Sequence, residues 1–142
     1  MQTTAATSRA GELERFVHDF YDAFLESPVD WDRLLTMLID DYQQLDERSG
    51  TWYRGDPATM LATHRAEIES AESYTHRIED VDVRLLTPDV GVATYVWYAD
   101  ARWDEQDYHI RCPSTMVVRR EADGWRAAVL HAVPAEDRSA SS

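Results

Sequence analysis

Lysine is absent from this chain. All 14 basic side chains are Arg, set against 27 Asp and Glu, for a formal charge of -13. Without a lysine there can be no Schiff base to the protein and no lysine-dependent phosphate loop. The acidic excess repels phosphate backbones and anionic headgroups, so neither nucleic acid nor a membrane is an expected partner. Cysteine is nearly absent: Cys112 stands alone, which excludes an internal disulfide and a thiolate zinc cluster. No apolar run approaches the roughly 18–20 residues that span a bilayer. Met1–Ala10 is polar and lacks the apolar core of a signal peptide, so the expected location is cytoplasmic. No repeat and no linker interrupts the chain. Its 142 residues suit one domain with a real core, expected over residues 11–134 between frayed polar tails at 1–10 and 135–142.

What is present is organised in two halves. Gly11–Glu26 reads as a helix, with Leu13, Phe16, Val17, Phe20 and Phe24 on one stripe and Ser27-Pro28 as its stop. Asp30 is a good cap for a short second helix through Trp31, Leu34, Leu35 and Leu38. Tyr42–Asp46 and Thr51–Arg54 look extended. Gly55-Asp56-Pro57 opens a third helix, with Asp as cap and Pro at its first position; Met60, Leu61, His64, Ile68 and Ala71 form its stripe. The period then changes to two. Val81, Val83 and Leu85 alternate with charge, Pro88-Asp89 turns the chain, and Val90–Trp103, Tyr108–Arg120 and Trp125–Val133 follow as long strands, the last two joined at Glu121–Gly124. The fold class expected is α+β: three N-terminal helices packed on a strongly curved, mostly antiparallel sheet. Val90–Tyr98 is apolar on both faces, so its second face calls for a cover, most simply a homodimer through the sheet.

The order of elements, the helix starting at Gly-Asp-Pro, and the ending Thr115-Met-Val-Val-Arg-Arg-Glu-Ala-Asp-Gly-Trp-Arg through His131 resemble the NTF2-like superfamily. That superfamily includes SnoaL-like and DUF4440-type proteins, ketosteroid isomerase, scytalone dehydratase and the association domain of calmodulin-dependent kinase. The resemblance covers roughly Glu12 to Pro134. It implies a cone with a hydrophobic pocket, and it marks a fold rather than one reaction.

Several residues could carry chemistry in such a cone. By resemblance to ketosteroid isomerase, Asp46 following Asp40-Asp41 would be a general base, its pKa raised at an apolar mouth. Tyr21, one residue out of step, would donate to a developing oxyanion. The isomerase's third group falls near Cys112-Pro113, where neither residue can substitute, so its full constellation is absent. His64, His109 and His131 are each either a hydrogen-bonded core residue or part of an acid–base pair of the dehydratase kind. Asp100, Arg102 and Asp104 alternate on one strand face. They resemble the Asp–Arg–Asp set of limonene-epoxide-hydrolase-type proteins, although a solvated ion-pair ladder is the simpler reading. Arg111 is the cation to watch, either as an anion anchor inside the cone or in an interface ion pair. Trp52, Tyr53, Tyr95 and Trp97 are candidate ligand contacts. Tyr95 and Trp97 share a face and Tyr98 takes the other, one set for the pocket and one for the partner. No chelating spacing suggests a metal, and no cofactor is expected. The function expected is a small-molecule-binding protein, with cofactor-free acid–base chemistry (isomerase, cyclase or dehydratase) on a hydrophobic, carbonyl-bearing substrate. The alternative is a non-catalytic ligand-binding or dimerisation and assembly domain.

Overall fold

A computed structural model describes residues 2–26, 28–46, 51–132 and 136–139, with side chains for 9–26, 28–45 and 51–132. Helix α1 (Gln2–Ala23) is followed by α2 (Trp31–Thr36), strands β1 (Leu38–Asp46) and β2 (Thr51–Tyr53), and α3 (Pro57–Ser70). Five strands complete the chain: β3 (Ser73–Thr87), β4 (Val90–Trp103), β5 (Gln106–Glu121), β6 (Gly124–Ala132) and β7 (Glu136–Ser139). They form one sheet in the order β2-β1-β6-β5-β4-β3, with β7 on β5. Only the β1–β6 pair is parallel among the described pairings; the others are antiparallel. The α+β class is as expected.

The boundaries differ from expectation in four places, each for a local reason. Helix α1 begins at Gln2, not Gly11, taking in the stretch read as a tail. Ala5, Ala6 and Ala10 are strong helix formers, and a lone glycine costs a helix only about 1 kcal/mol. Helix α2 stops at Thr36, because the Met37 amide turns back to the Leu34 and Leu35 carbonyls while the Met37 carbonyl takes the Ala127 amide, 2.8 Å away, and starts the parallel pairing. Strand β3 begins at Ser73, well before Val81, since Tyr74, His76 and Ile78 continue the alternation with less apolar side chains. The residues read as a C-terminal tail include β7. It pairs with Tyr108–Arg111 of β5, the stretch that the shorter β6 leaves uncovered.

Capping and close approach set the helices onto the sheet. Asp30 Oδ1 accepts from the Arg33 amide and Asp56 Oδ1 from the Ala58 amide, each satisfying an orphan donor of a first helical turn. Gly91 is required where α1 crosses β4: a Cβ there would collide with Leu13 Cδ2 and lie 3.2 Å from the Arg84 carbonyl. The core joins Leu13, Phe16, Val17 and Phe20 of α1 to Met116 and Val118 of β5 and Ala127 and Leu130 of β6.

Two bulges shape the sheet. In β3 the register steps between Glu79 and Asp82, with Asp80 in the left-handed region (φ 57°). In β6 the pairing steps from Val117↔Val129 to Val118↔Ala127, so Ala128 is an extra residue. A bulge bends its strand and reverses which side the following residues face. Trp125 and Ala127 therefore point into the core, yet beyond the bulge Leu130 is the buried residue and His131 is exposed.

Candidate active site

The concave face of the sheet does not fill completely. Ala99 lies on β4 between Trp97 and Trp103, opposite His76 of β3 and Ile110 of β5, and its small side chain leaves a hollow there. Helix α1 covers the hollow with Phe20, Tyr21 and Phe24, and α3 covers it with Met60, Leu61, His64 and Ile68. The cavity measures about 350 Å³, within the range of small-molecule sites. Trp103 Nε1 donates to the Glu67 carbonyl at 3.1 Å and lies 3.2 Å from Ser70 Oγ, tying α3 to the sheet at the cavity's edge.

His76 is the most informative group in the wall. It is 7% exposed and packed among the rings of Tyr21, Phe24, Tyr74 and Trp97. Nε2 lies 2.8 Å from the Tyr21 carbonyl oxygen. A carbonyl only accepts, so Nε2 carries the proton and Nδ1 accepts from the Tyr74 hydroxyl at 3.0 Å. Burial pushes the pKa of His76 down; the Tyr21 carbonyl and the charge of Asp22 oppose that less strongly. The resting ring is neutral. Tyr21 sits in the last turn of α1, where its carbonyl also accepts from the Phe24 amide at 3.2 Å and the helix end is negative, so a proton arriving at His76 would find a compensating dipole.

Two further hydrogen-bonded systems meet the cavity. The Tyr21 and Tyr95 hydroxyls are 2.5 Å apart, and burial pushes both phenols above their ordinary range. On the other side, His64 Nε2 is 3.2 Å from Gln44 Nε2, and Gln44 Oε1 accepts from Tyr42 at 2.8 Å. The indole N–H groups of Trp97 and Trp125 are buried without a partner among the described residues.

Of the residues singled out by sequence, the structure brings Tyr21, His64 and Trp97 to this cavity. Tyr95 shares the concave face with Trp97, as expected, but lies behind Tyr21 in the core. Tyr53 packs at the core's margin, its hydroxyl on the Asp56 carbonyl, and does not line the cavity. The other expectations are corrected. His109 and Arg111 alternate with Ile110, Cys112 and Ser114 on β5; the latter take the concave side, so His109 and Arg111 face outward. His109 pairs there with Asp100 at 2.5 Å, and Arg111 is exposed, so neither forms part of the pocket. His131 is turned outward by the β6 bulge and lies against Trp52, ring centres 5.9 Å apart; neither reaches the cavity. The Asp100–Arg102–Asp104 set does not form: Asp104 lies in the turn beyond β4, Arg102 is paired to Glu72 and Asp107, and Asp100 to His109. The Asp46 side chain lies outside the described residues. His76 and Tyr74 were missed by the sequence reading. The signal was the alternation Tyr74-Thr-His-Arg-Ile-Glu, which places Tyr74, His76 and Ile78 on one face.

The comparisons with known proteins agree with this architecture. The SnoaL-like domain model matches residues 13–135, and the chain belongs to that family. Among solved structures it is similar to a scytalone dehydratase-like protein from Novosphingobium aromaticivorans (TM-score 0.80, 11% identity, 96% of this chain and 90% of that one). It is similar also to the hexachlorocyclohexane dehydrochlorinase LinA-type3 from Novosphingobium barchaimii (TM-score 0.71, 15% identity, 89% and 92%). A third is the CamKII hub homology domain of Chlamydomonas reinhardtii (TM-score 0.68, 14% identity, 89% and 98%). At these identities the likeness is one of fold, the NTF2-like cone. No curated protein sequence matches the chain. Among the described residues, no helix is long and apolar enough to cross a membrane.

Proposed function

We propose that this protein binds a neutral, largely hydrophobic small molecule in the cone and moves a proton on it without a cofactor, as a dehydratase or isomerase does. The observation that carries the reading is the uncharged, buried His76, whose Nδ1 holds the Tyr74 hydroxyl at the wall of a largely apolar cavity. Tyr74 takes a proton from a carbon beside a carbonyl as its own proton passes to Nδ1. The imidazolium is steadied by Nε2–H on the Tyr21 carbonyl and by the end of α1. The Tyr21 hydroxyl, backed by Tyr95, supplies a hydrogen bond to the carbonyl oxygen as charge develops on it. Returning the proton to a departing hydroxyl releases water; returning it to another carbon isomerises the substrate. Asp46, first expected as the base, is not needed for this route. Two fold neighbours carry the names of a dehydratase and a dehydrochlorinase, names that denote eliminations.

The test needs no native substrate. Cyclohexanone and 2-decalone are incubated in D₂O with the protein, and deuterium uptake beside the carbonyl is followed by mass spectrometry. Wild type should exceed the buffer rate and His76→Gln should not. Equal rates would sink the assignment of the base.

A second reading, self-association, has its own observation. The convex face presents half-buried Val92, Val96, Tyr98, Val117 and Val129, with Trp52 38% exposed beside them. A homodimer through this face would cover them. Sedimentation of wild type against Val117→Arg would show a dimer lost on substitution; a monomeric wild type would end the reading.

A further inference from the structure

Tyr42, Gln44 and His64 form a chain from the core to the cavity wall, and its direction is set at the buried end. Tyr42 is 3% exposed, and burial holds its phenol protonated. An amide oxygen can only accept, so the Tyr42 hydroxyl donates to Gln44 Oε1 at 2.8 Å. Turning the amide over would leave the phenolic proton in the core without an acceptor, a costly state. With its oxygen committed to Tyr42, Gln44 presents its –NH₂ to His64 Nε2 at 3.2 Å, and that nitrogen must accept. A neutral imidazole that accepts at Nε2 carries its proton on Nδ1.

We propose that Gln44 is a positioning residue: braced by Tyr42, it sets His64 as the neutral Nδ1–H tautomer and covers Nε2, so that the basic nitrogen of this ring is withheld from a molecule in the cavity. His76 is in the opposite tautomer, protonated on Nε2 and accepting on Nδ1. The two rings at one cavity thus differ: the basic nitrogen of His64 is covered by Gln44, that of His76 by the Tyr74 hydroxyl. Proton transfer on a bound molecule is then left to the Tyr74–His76 pair. This last statement rests on the proposed function; the tautomer assignment does not. Glu67, one turn further along α3, and Tyr21, Tyr74 and His76 from α1 and β3 line the same cavity. All are retained in the variants below, so their charges are common to every comparison.

The test is ¹⁵N imidazole NMR on the full chain without ligand. Wild-type His64 should show a protonated Nδ1 and a bare Nε2. Tyr42→Phe releases the amide to turn, so Oε1 faces the ring and the proton moves to Nε2. Gln44→Glu places a carboxylate against Nε2, giving the Nε2–H form and raising the His64 pKa by about 1 or more. A wild-type ring protonated at Nε2, or a Tyr42→Phe ring identical to wild type, overturns the proposal. Deuterium uptake by cyclohexanone is measured on the same samples. If it is absent while the tautomers are as stated, the functional reading fails and the role of Gln44 stands.

Discussion

The two faces of the sheet are built from alternate residues of the same strands, and they differ in kind. On the concave face His76 is buried among rings, kept neutral, and hydrogen-bonded at both nitrogens. On the convex face His109 is exposed and lies against a carboxylate, Asp100. The difference is environment, not residue type. A ring packed away from solvent has its protonation state set by fixed dipoles, whereas a ring at the surface has water as an alternative partner. Chemistry is therefore expected on one face and association on the other, although the sequence distributes histidines to both.

The largest contrast should come from activity. His76→Gln is expected to lower deuterium exchange by about 10²-fold or more, the usual size of a general-base contribution. His109→Gln and His131→Gln should leave it within about twofold, measured side by side. Stability should separate adjacent residues in the same way. Met116 is fully buried, so Met116→Ala should cost about 2–5 kcal/mol. Val117→Ala, on the convex face, should cost under about 1.5 kcal/mol in the monomer, read from urea midpoints.

A subtler contrast concerns acid. The folded-state pKa of His76 is lowered by burial, so the unfolded chain binds a proton there more readily than the folded one. Stability is then unaffected above the unfolded value of about 6.5 and declines as pH falls from there toward the folded pKa. Urea midpoints at pH 7.5 and 5.5 should show this decline in wild type and a shallower one in His76→Phe. An unchanged pH dependence in the variant would mean other groups carry it. The smallest effect is expected at Arg111→Gln, within about 0.5 kcal/mol and without change in exchange rate, as for an exposed substitution away from the cavity. A large loss there would return Arg111 to the site and undo the contrast between faces.

The fold was legible because its signals are local. Asp56-Pro57 specifies a helix start by its own chemistry, the α1 stripe needs no partner to be recognised, and strict alternation along β4 puts Tyr95 and Trp97 together and Tyr98 opposite. The site was legible where a residue sat on such a pattern, as His64 does on its helix and Trp97 on its strand, or where the resemblance pointed to it, as for Tyr21. His131 was misassigned because one extra residue at Ala128 inverts everything after it, and nothing in Ala127-Ala128-Val129 announces a bulge. His76 was overlooked because its strand alternates Tyr, His and Ile, a weaker apolar signal than Val and Leu. The Tyr42–Gln44 brace joins residues two apart on β1 to a helix twenty residues on. Such a link exists only once the chain is folded.

The left-handed kink at Asp80 has a consequence beyond curvature. Strand β3 ends the sheet on one side, and 15 residues of bare strand would ordinarily invite a second molecule to zip on through backbone hydrogen bonds. Here the ladder is interrupted midway, and Arg77, Glu79, Asp82 and Arg84 crowd the interruption with paired, exposed charge. An approaching strand would meet a broken register and would have to strip water from ions to lie flat. The same kink that helps wrap the cone should thus keep separate molecules from stacking into fibres at high concentration.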